Sequence, residues 1–97
     1  MKIPKTIKMF GYTWKVKMTK EAGGDFIWKT KTIQVGTKFK EQEAIFLHEI
    51  MEAILMELQF RFYGQETNME YQFHFDHTGF VRFHKAFYQV LKDNKLI

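Results

Sequence analysis

The fold is decided by residues 41–58, which read EQEAIFLHEIMEAILMEL. This stretch contains no Pro or Gly and consists mostly of good helix formers, so it predicts a helix. One set of residues recurs at spacings of three and four and therefore shares one helical face: Ala44, Leu47, His48, Met51, Glu52, Leu55 and Leu58. Phe46, Ile50 and Ile54 occupy the other side. A helix that is apolar on nearly all sides is expected to lie centrally in the fold.

The same helix carries a His-Glu-x-x-Glu pattern at His48, Glu49 and Glu52. Positions i and i+4 lie on one face, so His48 and Glu52 are expected to point the same way. A carboxylate on an apolar stripe is costly unless a cation pairs with it, and no Lys or Arg occurs between Glu41 and Gln59. Such pairs are also common on solvated helix faces, but this face is apolar. The pattern therefore favours a metal ion, with Glu49 beside it as the base that activates water.

A metal centre of this kind needs a third ligand, and the remaining histidines are His74, His77 and His84. His77 continues the alternation of Phe73 and Phe75, so it is expected to face the core. His74 lies on the other side of the alternation and is expected to face solvent. His84 lies about 10 Å further along the last helix, too far to bind the same ion. The pattern favours His77 and leaves the other two as alternatives.

Alternating side chains before the central helix predict strands over residues 6–18, with a turn at Gly11, and over residues 26–29 and 32–36. Together they predict an antiparallel meander of about three strands. A second turn, between the strand region that ends at residue 18 and the strand over residues 26–29, is expected at the Ala22-Gly23-Gly24-Asp25 sequence.

After the central helix, residues 59–69 are predicted to form a loop, followed by a short strand that begins near Tyr71. A last helix is predicted from about Thr78 to Asp93. Its buried stripe is expected to consist of Phe80, His84, Phe87 and Leu91.

The composition limits the possible functions. The chain has 97 residues, enough for one domain over residues 1–97, and it has no Cys, so a metal would be held by nitrogen and oxygen atoms. There is no signal-peptide pattern and no apolar run long enough for a bilayer, so we expect a cytoplasmic protein without a membrane partner. The formal charge is +4, and residues 1–40 hold ten Lys and two acidic residues. This basic half could bind nucleic acid through Trp14 and Trp28, although a solvated strand face explains it better.

With these motifs in view, the chain resembles the minigluzincin-like proteins encoded by bacteriophages and prophages, small relatives of zinc-dependent metallopeptidases. The likeness covers nearly the whole chain. Its most specific parts are the helix LHEIMEAIL at residues 47–55 and the ending FYQVLKDN at residues 87–94. The Gly11-Tyr12 pair and the predicted hairpin at residues 29–35 also fit.

The usual pattern of that family is His-Glu-x-x-His, with a Glu ligand near the start of the final helix. Here Glu52 stands where the second His would be, and His77 falls at or next to the position of the Glu ligand. The resemblance therefore implies that His48, Glu52 and His77 hold zinc or another divalent ion and that Glu49 is the catalytic base.

The resemblance implies a zincin-like α+β fold, in which a small antiparallel sheet of about three to four strands packs on a central metal-bearing helix and a C-terminal helix. It also implies a metal-dependent hydrolase whose substrate is a peptide or protein. An extended peptide is expected to add to residues 31–36 as a further strand. The alternatives are a non-catalytic domain with a structural metal that binds another macromolecule, and a nucleic-acid-binding module.

Overall fold

The computed structural model of the chain describes residues 1–63 and 71–97. Within these ranges the protein is an α+β domain, as predicted, with six strands and two helices. In chain order the elements are β1 (Thr6–Met9), β2 (Tyr12–Thr19), β3 (Gly24–Ile27), β4 (Thr32–Gly36), α1 (Gln42–Glu57), β5 (Arg61–Tyr63), β6 (Tyr71–Phe73) and α2 (His77–Asp93). Neither helix of the described part is both long enough and apolar enough to cross a membrane.

The main sheet has four strands in the order β1-β2-β4-β3. The pairs β1–β2 and β3–β4 are antiparallel hairpins, but β2 and β4 pair in parallel, with Val16 opposite Ile33. The sheet is therefore mixed, and the predicted antiparallel meander is wrong in this respect. Side-chain alternation specifies which residues face the core, but it does not specify which strands become neighbours.

One face of this sheet packs against α1 and forms the core. Trp14, Ile33 and Val35 on the sheet and Phe46, Ile50 and Ile54 on the helix are fully buried. The helix is central, as its sequence predicts, because it lies against β3 and β4 on one side and α2 on the other.

Arg61 reaches the central helix because the chain reverses direction at Gln59. This residue has a φ of 64°, and the flanking amides donate to carbonyl groups of the last helical turn, Phe60 N to Leu55 O at 2.8 Å and Gln59 N to Met56 O at 3.0 Å. This arrangement is a Schellman motif with Gln in the left-handed position. It carries β5 back alongside α1. The predicted loop over residues 59–69 thus contains a strand, and residues 64–70 lie outside the described part of the chain.

The predicted buried stripe of α2 is wrong in two of its four residues, since Phe87 and Leu91 are partly buried and Phe87 packs against the core. Phe80 and His84 are exposed, whereas Phe83 and Val90 are buried, together with Gly79. The sequence of α2 has apolar residues on two neighbouring faces, and both satisfy helical spacing. The buried face is the one that meets α1 and β1. The helix begins one residue earlier than predicted, at His77, where the carboxylate of Asp76 accepts a hydrogen bond from Gly79 N at 2.9 Å.

Candidate metal centre

A cleft of about 490 Å³ lies between α1 and the edge strand β3. One wall is the turn and strand around Gly24 and Phe26, and the other is the His48 side of α1. The two walls are close because Gly24 lacks a side chain: a Cβ there would lie 2.7 Å from Ile45 Cγ2 and 3.1 Å from Glu49 Cγ. The residues that line the cleft are Gly23, Gly24, Asp25, Phe26, Ala44, Ile45, His48, Glu49, Glu52 and Arg61.

Three potential metal ligands converge at this cleft. His48, Glu49 and Glu52 each offer one ligand atom, and these atoms lie within 4.8 Å of one another. His48 Nε2 lies 2.6 Å from Glu52 Oε2, so the two side chains point the same way, as their i, i+4 spacing predicts. The group forms because three polar residues occupy adjoining positions of a single helix, which needs no long-range contact.

The donor set fits a divalent ion of the zinc type. It offers an imidazole nitrogen and carboxylate oxygens, the ligand atoms that zinc accepts when no thiolate is present. Two ligands of one such ion stand about 3 Å apart, since each lies about 2 Å from the metal. The separation of His48 and Glu52 is close to this value, so a small side-chain rotation makes room for an ion.

Burial within this group differs from the prediction. The carboxylate that lies in apolar surroundings is Glu49, which is 6% exposed. The side chain of His48 is 64% exposed, and that of Glu52 is 19% exposed. Glu49 therefore faces the inner end of the cleft, and His48 forms its rim. This arrangement puts the candidate base in the least hydrated position of the three.

The pKa of Glu49 reflects that position. Burial and the neighbouring Glu52 carboxylate raise the pKa of Glu49 from its ordinary 4.5 to about 7, against the opposing effect of His48; Asp25 raises it further and Arg61 lowers it. At neutral pH this carboxyl group is therefore poised between its protonated and ionised forms. A group in this state can both accept and return a proton.

The raised pKa predicts that the metal-free protein loses stability as the pH rises. Between pH 4.5 and 7 the folded state holds a proton on Glu49 that the unfolded chain has released, so the free energy of unfolding falls with pH. A shift from 4.5 to about 7 corresponds to a loss of about 3 kcal/mol. The neutral side chain of a Glu49→Gln variant removes this contribution.

Urea unfolding of both proteins at several pH values, in the presence of a chelator, measures the effect. The wild type should lose stability relative to Glu49→Gln as the pH rises from 4.5 to 7.5. A difference between the two proteins that stays constant over this range would contradict the prediction.

Arg61 is a residue of the site that the sequence reasoning missed. Its Nε lies 3.4 Å from Glu52 Oε1, and its side chain is only 13% exposed. Glu52 therefore has a cationic partner without a metal, although no Lys or Arg lies between Glu41 and Gln59. Arg61 lies two residues beyond Gln59, where the stretch without Lys or Arg ends. The signal that could have found Arg61 is the turn after Leu58, because this turn brings the following residues back alongside the central helix.

The three remaining histidines do not join this group. His77 is exposed at the first position of α2, so the expectation that it faces the core is wrong. His74 and His84 are exposed as well. In the part of the chain that the structure describes, the only cluster of three potential ligands comprises His48, Glu49 and Glu52. The assignment of His77 as the third ligand stays a prediction.

Comparison with known proteins gives no relative from which a function could be transferred. No protein-family model, curated protein or solved structure matches the chain. The resemblance to minigluzincin-like proteins therefore rests on the residues of this chain alone.

Proposed function

We propose that this protein is a small metal-dependent hydrolase that cleaves peptide bonds. The observation that carries the proposal is the convergence of His48, Glu49 and Glu52 within 4.8 Å beside an open cleft. In this proposal His48 and Glu52 hold a divalent ion, with zinc as the first candidate, and His77 is the predicted third ligand.

A divalent ion in this position would polarise the scissile carbonyl group and lower the pKa of a water molecule to about 7. The protein contributes the base. Glu49 accepts a proton from the attacking water and then delivers it to the leaving amine. Its burial and its raised pKa support this role, because both operations are then accessible near neutral pH.

The sheet edge beside the cleft supports an extended peptide as the substrate. β4 lies between β2 and β3, so the predicted addition of a peptide to residues 31–36 is wrong. β3 is the end strand, and no strand pairs with its outer edge within residues 1–63 and 71–97. A peptide added to β3 would run along the cleft past Glu49.

The hydrogen-bonding pattern of β3 supports the same placement. Gly36 N donates to Gly23 O at 2.7 Å, so in the antiparallel ladder the backbone groups of Gly24 and Phe26 point away from β4. The amide of Phe26 is satisfied by the side chain of Asp25, at 2.8 Å. A bound peptide would replace this contact with a backbone carbonyl group.

A metal titration tests the proposal. The wild type should bind one Zn²⁺ per chain, and His48→Ala should weaken binding by about 100-fold or more, because a neutral imidazole is a strong ligand whose loss leaves an incomplete site. Isothermal titration calorimetry with Zn²⁺ measures both affinities. His84→Ala is the matched control, because it removes an exposed histidine outside the cluster.

The same titration tests whether His77 is the third metal ligand. If His77 completes the site, His77→Ala should weaken Zn²⁺ binding while His84→Ala leaves it unchanged. Equal affinities for the wild type and His48→Ala would contradict the metal centre itself.

A second candidate function is a non-catalytic binding domain. It is favoured by the ion pair between Glu52 and Arg61, because this carboxylate has a cationic partner without a metal. A protein of this kind would hydrolyse no peptide in the presence of Zn²⁺, and its stability would not depend on Zn²⁺.

A further inference from the structure

We propose that Arg61 is a positioning residue that holds the Glu52 carboxylate in the orientation needed to ligate a metal. The inference rests on the proposed metal centre and assigns a role to a residue outside the His-Glu-x-x-Glu pattern. It is based on the two carboxylate oxygen atoms of Glu52, which contact different residues.

The two oxygens of Glu52 have different partners. Oε2 faces His48 Nε2 at 2.6 Å, and Oε1 faces Arg61 Nε at 3.4 Å. Arg61 therefore occupies the side of the carboxylate that is turned away from the candidate ligand His48. An ion between His48 and Oε2 would not have to displace the guanidinium group. The contact at 3.4 Å is an ion pair and not a hydrogen bond, so Arg61 acts on the Glu52 carboxylate through its charge and position. A charged neighbour on the far side of a ligating carboxylate fixes the orientation of that carboxylate.

Arg61 is itself held in place. Its guanidinium carbon lies 4.8 Å above the centroid of the Phe26 ring, within the range of a cation–π contact. Phe26 is 9% exposed and belongs to β3, the opposite wall of the cleft. The guanidinium group thus spans the cleft from the edge strand to the central helix. Arg61 thereby links β3, the proposed peptide-binding edge, to the carboxylate that would bind the metal.

A competing role for Arg61 predicts the opposite result. A guanidinium group close to a metal centre repels the ion, so Arg61 could act only as a counter-ion that Zn²⁺ must overcome. Its removal would then strengthen metal binding. The geometry favours positioning, because the contact is made by the oxygen that does not face His48.

The experiment compares metal binding by the full-length wild type, Arg61→Gln and Arg61→Lys. Zn²⁺ affinity is measured by calorimetry, and the visible absorption of the Co²⁺-loaded proteins reports the ligand geometry. We expect Arg61→Gln to weaken Zn²⁺ binding by about 10–100-fold and to change the Co²⁺ spectrum. Arg61→Lys should recover only part of this loss, since it keeps the charge but lacks the planar guanidinium group that lies over the Phe26 ring.

One control variant and one further test variant separate a positioning role of Arg61 from an effect on folding. Arg82→Gln removes an arginine that also stacks on a phenylalanine, Phe60 at 5.2 Å, but lies on α2 outside the cleft lining. It should leave both readouts unchanged. Phe26→Leu keeps an apolar side chain and removes the ring beneath Arg61, so it should weaken Zn²⁺ binding by a smaller factor than Arg61→Gln. This variant also tests the proposal if Arg61→Gln does not fold.

The outcomes are distinct. A wild type that binds Zn²⁺ and an Arg61→Gln variant with equal or higher affinity would overturn the role of Arg61 and leave the metal centre intact. A wild type that binds no Zn²⁺ would overturn the proposed function and this inference together. Weaker binding with an altered Co²⁺ spectrum in Arg61→Gln supports both.

Discussion

Replacing Glu49 with Gln should abolish hydrolysis while leaving the metal in place. The amide is nearly isosteric with the carboxyl group, so the packing around this buried position is preserved, but it cannot accept a proton from water. Loss of a general base typically lowers the rate about 10²–10⁴-fold. The measurement is the turnover of a fluorogenic peptide library by the Zn²⁺-loaded proteins, together with their metal content by elemental analysis.

Glu57→Gln is the matched control for this variant. Glu57 is exposed at the last position of α1 and does not line the cleft, so the same chemical change there should leave turnover unaltered. Unchanged turnover in Glu49→Gln would exclude Glu49 as the base. Loss of the metal together with the activity would instead make Glu49 a ligand, because it belongs to the same cluster as His48 and Glu52.

Removal of the metal distinguishes an ion that serves catalysis from an ion that serves only as a structural staple. In an enzyme with a preformed site, chelation should abolish turnover and change the melting temperature little, because His48, Glu49 and Glu52 lie on one helix that packs into the core. A metal that serves as a structural staple would lower the melting temperature strongly when removed.

The largest effect on folding is expected for Trp14→Ala. Trp14 is fully buried, its indole N–H faces Met9 O at 3.3 Å, and its ring packs edge-on against Trp28, with 5.3 Å between ring centroids. Deleting such a side chain typically costs about 3–5 kcal/mol. Since a domain of this kind is stable by only about 5–15 kcal/mol, the variant should unfold at a much lower urea concentration, and it should not fold if the wild type lies at the lower end of this range.

Urea unfolding followed by circular dichroism measures this loss. Thr13→Ala, on the exposed face of the same strand, should change the free energy of unfolding by less than about 0.5 kcal/mol. Wild-type stability in Trp14→Ala would show that Trp14 does not belong to the core as described. The burial of Trp14 also bears on the nucleic-acid alternative, because a ring with no exposed surface cannot stack on a base.

Local patterns predicted the helix α1 and the His48–Glu52 alignment well. Both depend on residues three or four positions apart, and helical geometry alone brings such residues together. The same reasoning failed for part of the buried stripe of α2, where Phe80 and Phe83 lie on neighbouring faces and either could be the buried one. Only contact with α1 and β1 decides between them.

The sequence by itself determined an α+β domain with a central apolar helix, and it placed His48, Glu49 and Glu52 on that helix at a spacing that brings them together. These features follow from local periodicity. The tertiary structure alone decided that β4 lies inside the sheet, that β3 forms the open edge, that Glu49 is the buried carboxyl group and that Arg61 pairs with Glu52. Each of these depends on which elements become neighbours after the chain turns, and no periodicity within a single element encodes that choice.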